Sequence, residues 1–490
     1  MNAHIDGFSP HAIAKGAFVG GRWIQAADGA QFNVVDPATG ETIAVLPNLT
    51  PQDAAFAVEN AQEAFVSWRA VPAKERGRIL RRWNDLILAH QDDLAALLSR
   101  EQGKPLAEAK GEIAYGASFI EWFAEEGRRV YGDIIPSPTT GRALLALKQP
   151  IGVCVAITPW NFPNAMIARK AAPALAVGCA MVVKPAEDTP LSALALAALA
   201  HEAGLPPGVL NIVTTDRAEA VGLTLTTHPL VRKVSFTGST EVGRIIMRQA
   251  SDSIKKVSLE LGGNAPFIVF DDADLDQAVA GALASKYRNT GQTCVCANRF
   301  YVQAGVYDAF AEKLAAAVKT LKVGPAFEPG VTQGPLINDA ALHKVEALVA
   351  DARANGAAVL TGGARHPLGG TFYEPTVLTQ VGPASRLLRE EIFGPVAPLA
   401  RFETEAEAIA LSNASDYGLA AYFYARDLSR VWRVAQALEA GIVGVNEGVL
   451  STAEAPFGGV KQSGVGREGS KYGVDDYVEI KYVCLGYDDG

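Results

Sequence analysis

No disulfide framework, no basic excess and no long apolar run occurs in this 490-residue sequence, and each absence removes a class of protein. Its five cysteines (154, 179, 294, 296 and 484) are few and odd in number, which excludes a disulfide scaffold and leads us to expect a reducing, cytoplasmic compartment. No Cys-x-x-Cys spacing with a distant His pair is present, so no metal site is expected. The 44 basic side chains are outnumbered by 53 acidic ones, giving −9. That sign argues against nucleic acid or an anionic membrane as the main partner, although a local arginine pair can still meet a small anion. No apolar stretch reaches the roughly 18–20 residues that cross a bilayer. The start, Met1-Asn2-Ala3-His4-Ile5-Asp6-Gly7, lacks the charged opening and apolar core of a secretory leader. The seven histidines fall outside every motif below, so no Cys–His pair of a hydrolase is evident. Neither an internal repeat nor a low-complexity linker divides the chain, yet its length exceeds one hydrophobic core, so two or three domains are expected.

Two textures are present instead. Up to about residue 130 the pattern is mainly helical, with 51–69 opening on Thr50-Pro51-Gln52-Asp53, a good helix start, and 75–100 continuing it. From 150 onward, short β-branched runs at 153–158, 180–184, 209–213, 231–236 and 257–259 alternate with helical stretches at 165–177, 190–203, 217–226 and 240–250. Gly204 marks a helix end. This alternation predicts an α/β fold with a parallel sheet covered by helices on both faces. A second series begins with a strand at 265–270, with helices at 274–288, 306–322, 338–355, 404–413 and 428–439. The tail after 470 alternates like a strand, and a lone terminal strand needs a partner, which another subunit could provide.

Ligands of parallel sheets bind at the carboxyl ends of the strands. Those ends carry Thr158-Pro159-Trp160-Asn161, Lys184-Pro185-Ala186-Glu187 and Thr237-Gly238-Ser239-Thr240. The last opens a helix and suits a pyrophosphate, and Glu187 suits the hydroxyls of an adenosine ribose while repelling a 2′-phosphate. The spacing Gly238-x-x-x-x-Gly243 is not the dinucleotide fingerprint, so the cofactor site rests on the strand-end pattern. Cys294, in Arg288-Asn289-Thr290-Gly291-Gln292-Thr293-Cys294-Val295-Cys296, is set among small polar residues and looks presented as a nucleophile. Glu260 is a candidate base from a separate segment, and Arg288 a candidate cation beside the thiol.

Together these runs resemble the aldehyde dehydrogenase superfamily over nearly the whole chain. The resemblance is carried by Thr158-Pro159-Trp160-Asn161-Phe162-Pro163, Lys184-Pro185-Ala186-Glu187, Phe236-Thr237-Gly238-Ser239, Glu260-Leu261-Gly262-Gly263, Gly291-Gln292-Thr293-Cys294, Glu391-Ile392-Phe393-Gly394-Pro395 and Pro456-Phe457-Gly458-Gly459, all in the family's order. Within it, Arg169, Arg288, the Cys294–Arg299 run and the tail from Lys461 to Gly473 are most similar to the succinate-semialdehyde dehydrogenases.

The resemblance implies a Rossmann-type cofactor domain (1–131 and 153–262), an α/β catalytic domain (263–461) and a small bridging or oligomerisation element (132–152 and 462–490), assembled as a homodimer or homotetramer. It implies Cys294 as nucleophile, Asn161 as oxyanion donor and Glu260 as hydrolytic base, with Lys170 and Glu468 passing protons onward. NAD is the implied cofactor, with NADP possible. Thr158, Trp160, Asn161, Lys184, Glu187, Phe236, Gly238, Ser239, Leu261, Glu391 and Phe393 would contact it. Arg169 and Arg288, with Ser451, would grip the carboxylate of a small semialdehyde. Cys296 is either pocket wall or the partner of a regulatory disulfide. Glutarate and 2-oxoglutarate semialdehydes differ too little from succinate semialdehyde to be separated this way. A CoA-acylating reaction is disfavoured because it has no need of Glu260.

Overall fold

The structure is a computed structural model describing Phe8, residues 10–13 and residues 15–488; the run Met1–Gly7 lies outside them. An eight-stranded sheet is ordered Arg22–Ile24, Ala17–Val19, Leu210–Ile212, Ala180–Lys184, Val153–Ile157, Val231–Thr237, Lys256–Glu260, Gly464–Val465. Its five central strands are mutually parallel, with antiparallel pairs only at the edges. Side chains alternate between two buried faces. Cys154 and Ala156 enter one core, Val153 and Val155 the other. Near-continuous apolar strands of this kind require helices on both sides. One of those helices, Ala165–Val177, is buried at every position, including Arg169 and Lys170.

A second sheet of seven strands runs Ala358–Thr361, Thr376–Thr379, Val396–Phe402, Ala297–Gln303, Ala265–Val269, Ala420–Tyr424, Ile442–Val445, parallel except at the first pair. The run that carries Cys294 falls between its Leu275–Lys286 helix and the Ala297–Gln303 strand.

Several elements differ from expectation. The helical stretch 75–100 is two helices, Ala73–Ala89 and Gln91–Gln102, because His90 leaves the helical region at φ −106°, ψ 21°. The opening segment also holds two strand pairs, around Ala17–Ile24 and Gln31–Pro47, that the helical reading passed over. Helix 274–288 stops at Lys286 and gives way to a tight turn, Arg288–Gly291. The terminal strand does not wait for another subunit: Val478–Gly486 pairs antiparallel with Arg142–Pro150 of the same chain, which pairs in turn with Asp133–Ile135. Among the described residues, no helix is long and apolar enough to cross a membrane.

Candidate active site

The carboxyl ends of the parallel strands converge with the turn before Cys294 on a cavity of about 260 Å³. Trp160, Asn161, Glu260, Cys294, Glu391 and Phe393 line it, together with Gly238, Ser239 and Leu261. Sequence-distant segments meet there because Gly263 has no side chain: a Cβ on it would lie 2.4 Å from the Cys294 carbonyl oxygen.

Cys294 is presented by a strained turn. Asn289 and Thr290 both hold left-handed backbone, at φ 49° and 55°. For non-glycine residues this costs on the order of 1–2 kcal/mol each. Hydrogen bonds offset the cost. The Asn289 N–H donates to Glu108 Oε2 (2.7 Å), and Asn289 Nδ2 donates to the carbonyls of Asn161 (3.1 Å) and Gln292 (3.2 Å). The Gln292 side chain bonds to Asn289, Pro335 and Ile337. Burial pushes the Cys294 thiol up to about 12 even though Arg169 opposes the shift. Burial thus favours the neutral thiol over the thiolate, so the Arg288 cation named as a candidate beside the thiol does not suffice and a base is needed.

Glu260 is buried, its Oε2 has no partner, and its pKa is raised well above the carboxylate range by burial and by the charge of Glu468. Asn161 Nδ2 donates to the Gln292 carbonyl (3.0 Å), while its Oδ1 is buried without a partner. The Asn161 backbone is clamped by residues the sequence did not single out. Lys104 Nζ donates to its carbonyl (2.8 Å) and to Glu112 Oε2 (2.5 Å). Glu112 Oε1 accepts the Asn164 (2.9 Å) and Ala165 (3.2 Å) N–H groups that open the Ala165–Val177 helix, a favourable place for a carboxylate. Gly103, left-handed at φ 90° before Lys104-Pro105, was the one local signal for this brace.

Behind Cys294, Arg169 Nε and Lys170 Nζ both donate to Glu468, and all three residues are buried. This is no surface ion pair. Burial alone would raise the Glu468 pKa, and the two cations more than reverse it. Arg169 also lies 4.2 Å from the Phe457 ring centroid, yet its Nη2 has no partner. The Tyr115 hydroxyl is likewise buried, flanked by the Arg169 and Ser451 side chains in the field of Arg288, without a well-formed hydrogen bond. Arg288 is half-buried, its guanidinium 5.3 Å from the Phe162 centroid. Tyr115 therefore joins Arg169, Arg288 and Ser451 in one donor-rich corner; a tyrosine inside a long helix carried no sequence signal.

The presumed cofactor residues divide. The Thr158 and Thr237 hydroxyls are buried and unpartnered beside the cavity, and Ser239 caps the helix Thr240–Ser251 by accepting the Val242 N–H. Glu391 accepts the Gly263 N–H (3.0 Å), burial raising its pKa to about 7, and Lys344, unanticipated, joins it on the cavity wall. Phe393 holds φ 55° and meets Trp160 edge-on at 5.6 Å. Phe236 does not line the cavity; it lies in the core beneath Gly238, whose missing Cβ would sit 2.4 Å from its ring. Lys184 Nζ donates to Glu187 at 3.3 Å, and Glu187, 44% exposed, faces a separate groove shared with Asp188 and Asp216. Orphaned hydroxyls and a capped helix N-terminus at the strand ends fit a dinucleotide.

Cys296 is buried, donates to the Lys286 and Ala297 carbonyls, and has its pKa raised by burial. Cys294 and Cys296 are both free thiols.

This constellation of thiol, buried carboxylate and amide matches a known lineage, for the aldehyde dehydrogenase family profile covers residues 23–483. The chain belongs to the aldehyde dehydrogenase family. Succinate-semialdehyde dehydrogenase [NADP(+)] GabD of Escherichia coli K12 is 61% identical over 470 residues, 96% of this chain and 97% of that protein. A glutarate-semialdehyde dehydrogenase of Pseudomonas aeruginosa is 60% identical with the same coverage of both chains. The crystal structure of succinate-semialdehyde dehydrogenase from Burkholderia pseudomallei superposes with a TM-score of 0.95 at 62% identity, covering 96% of this chain and 97% of that one.

Proposed function

We propose that the chain oxidises succinate semialdehyde to succinate, with glutarate semialdehyde as the alternative, through a covalent Cys294 intermediate. The observation that carries the substrate reading is the donor-rich corner: Arg169 Nη2 and the Tyr115 hydroxyl are buried beside one another, Arg288 and Ser451 without a well-formed hydrogen bond. Buried orphan donors are costly, and a substrate carboxylate would satisfy them.

The rest of the reaction falls to the chain's own groups. Cys294 attacks the aldehyde carbon while Glu260, whose raised pKa suits it to the task, takes the thiol proton. Asn161 Nδ2 turns from the Gln292 carbonyl to the developing oxyanion, and the Cys294 N–H is the second donor. Ser239, Lys184, Glu187 and Glu391, with Thr158, Trp160, Thr237, Leu261 and Phe393 around it, would hold a nicotinamide dinucleotide, which would supply the hydride acceptor. Glu260 then activates water against the thioester, with Glu468 and Lys170 taking the proton onward. Cys296, whose buried thiol rests on the Lys286 and Ala297 carbonyls, has a packing role. The domain division expected from the sequence, with cofactor binding on the first sheet and Cys294 on the second, accompanies this assignment. So does assembly through the three-stranded sheet, where Ile134, Ile480 and Tyr482 are 85%, 70% and 62% exposed.

The test is a kcat/KM series over aldehydes of increasing length, with and without a terminal carboxylate, run with NAD and with NADP. Preference for the four-carbon semialdehyde is expected, and an advantage for uncharged aldehydes refutes the reading. Glu187 leads us to expect the higher value with NAD, and a higher one with NADP removes that role.

A further inference from the structure

A polar stripe crosses the otherwise apolar first sheet. On Val231–Thr237, alternate side chains Lys233, Ser235 and Thr237 share one face, and register places them beside Lys256, Ser258 and Glu260 of the next strand. The opposite face carries Val234, Phe236 and Leu259. Lys233, Ser235 and Ser258 are at most 3% exposed. The strands are parallel, so the stripe runs from Glu260 at the catalytic edge to Lys233 at the far edge.

Its members are linked. Lys170 Nζ donates to Glu468 and to Ser235 Oγ (3.1 Å), Ser258 Oγ donates to Ser235 Oγ (3.3 Å), and Lys233 Nζ donates to Ser258 Oγ (2.7 Å). Lys233 Nζ lies 3.9 Å from Asp476 Oδ2, whose side chain is 23% exposed. Resting on the functional reading above, in which Glu468 and Lys170 take the proton from Glu260, we propose that the stripe carries it onward from Lys170 through Ser235, Ser258 and Lys233 to solvent at Asp476.

The chemistry requires an exit. Aldehyde, oxidised nicotinamide and water become carboxylate, reduced nicotinamide and two protons: one leaves when the thiol adds, the other when water cleaves the thioester. Glu260 receives both, inside a cavity that substrate and cofactor fill. Lys233 hands its proton to Asp476, and Ser258, Ser235 and Lys170 each pass one along by hydroxyl or ammonium rotation, with no heavy-atom bond changed. Burial lowers the Lys233 pKa to about 8, so its neutral form is accessible. The groups facing it are Asp476, Cys154, Lys170, Glu468 and the Tyr477 ring.

The test uses the full-length enzyme and its Ser235→Ala, Ser258→Ala and Asp476→Asn variants with succinate semialdehyde and NAD. Stopped flow reads the burst of reduced cofactor, rapid quench the acyl-enzyme lifetime, and an indicator dye the released proton. The burst should persist in all three variants. The acyl-enzyme should live at least about tenfold longer in the serine variants, less than the full loss expected from removing the base itself, with a larger slowing in heavy water. Asp476→Asn should recover with rising buffer concentration, because its defect faces solvent; a merely structural change would not. Wild-type lifetimes in folded serine variants overturn the route. If those variants do not fold, a wild-type, buffer-independent lifetime in Asp476→Asn overturns it. No reduction of cofactor by the unaltered enzyme with succinate semialdehyde overturns the functional reading and the route with it.

Discussion

Arg288→Ala isolates the carboxylate grip. Arg169 is unsuitable for this purpose, since its loss leaves buried Glu468 with Lys170 as its remaining cation partner. Arg288 is half-buried, and its guanidinium rests on the Phe162 ring. Truncating it removes a charge-assisted contact to the substrate's far end, about 1.5–3 kcal/mol. That converts to a loss of roughly 10- to 150-fold in apparent affinity. Because the tail carboxylate is equally charged before and during reaction, the loss should fall in KM, with kcat little changed. The stacking on Phe162, about 0.5–1 kcal/mol, is lost for every substrate alike and so cancels in a comparison. Initial rates of cofactor reduction with succinate semialdehyde and with propanal measure the difference. Arg288→Lys should recover part of the loss, since the charge returns without the planar fork. Equal falls in kcat/KM for both aldehydes would show that Arg288 shapes the cavity rather than holding a carboxylate.

Three further outcomes are expected. Glu260→Gln should retain a burst of reduced cofactor at high pH, where thiolate forms without help, and lose steady-state turnover by about 100-fold or more. In the unaltered enzyme the Glu260 pKa is raised, so its base form appears only as pH climbs beyond the ordinary carboxylate range; turnover should rise with pH there, and a limb at ordinary carboxylate pH would refute the assignment. For assembly, sedimentation should show a dimer or tetramer. Replacing Ile480 and Tyr482, on the exposed terminal strand, by Glu should shift it toward monomer without unfolding; no shift would place the interface elsewhere.

The fold was legible where period and punctuation agreed. The strands 153–157, 180–184 and 231–237 are rich in apolar and β-branched residues, bounded by proline or glycine, and almost wholly buried. The first 50 residues misled because their strands are only three to six residues long, too short for a period to show. His90 split a helix without proline or glycine to announce it. The terminal strand's alternation was read correctly, but its partner lies more than 300 positions away in sequence, and register at that distance leaves no local trace.

At the site, motif residues could be assigned because their chemistry is written in their types, whereas the residues that hold them are ordinary. Lys104, Glu112 and Tyr115 sit in an amphipathic helical region where lysine, glutamate and tyrosine usually mean a solvated face. Burial changes what they are. A lysine at 2% exposure must have partners, and finding one on the Asn161 carbonyl turns a surface residue into a brace for the proposed oxyanion donor. The same reasoning applies to the charge cluster. Arg169, Lys170 and Lys233 are buried with Glu468, while Glu260 is held toward its neutral form. Apolar side chains of equal volume would stabilise such a core as well or better. Cations are in excess there, and Arg288 adds to them at the corner where Arg169 Nη2 and the Tyr115 hydroxyl stand unpartnered. An anionic substrate tail is the charge that would balance that corner, which ties the cost of burial to the reaction rather than to the fold.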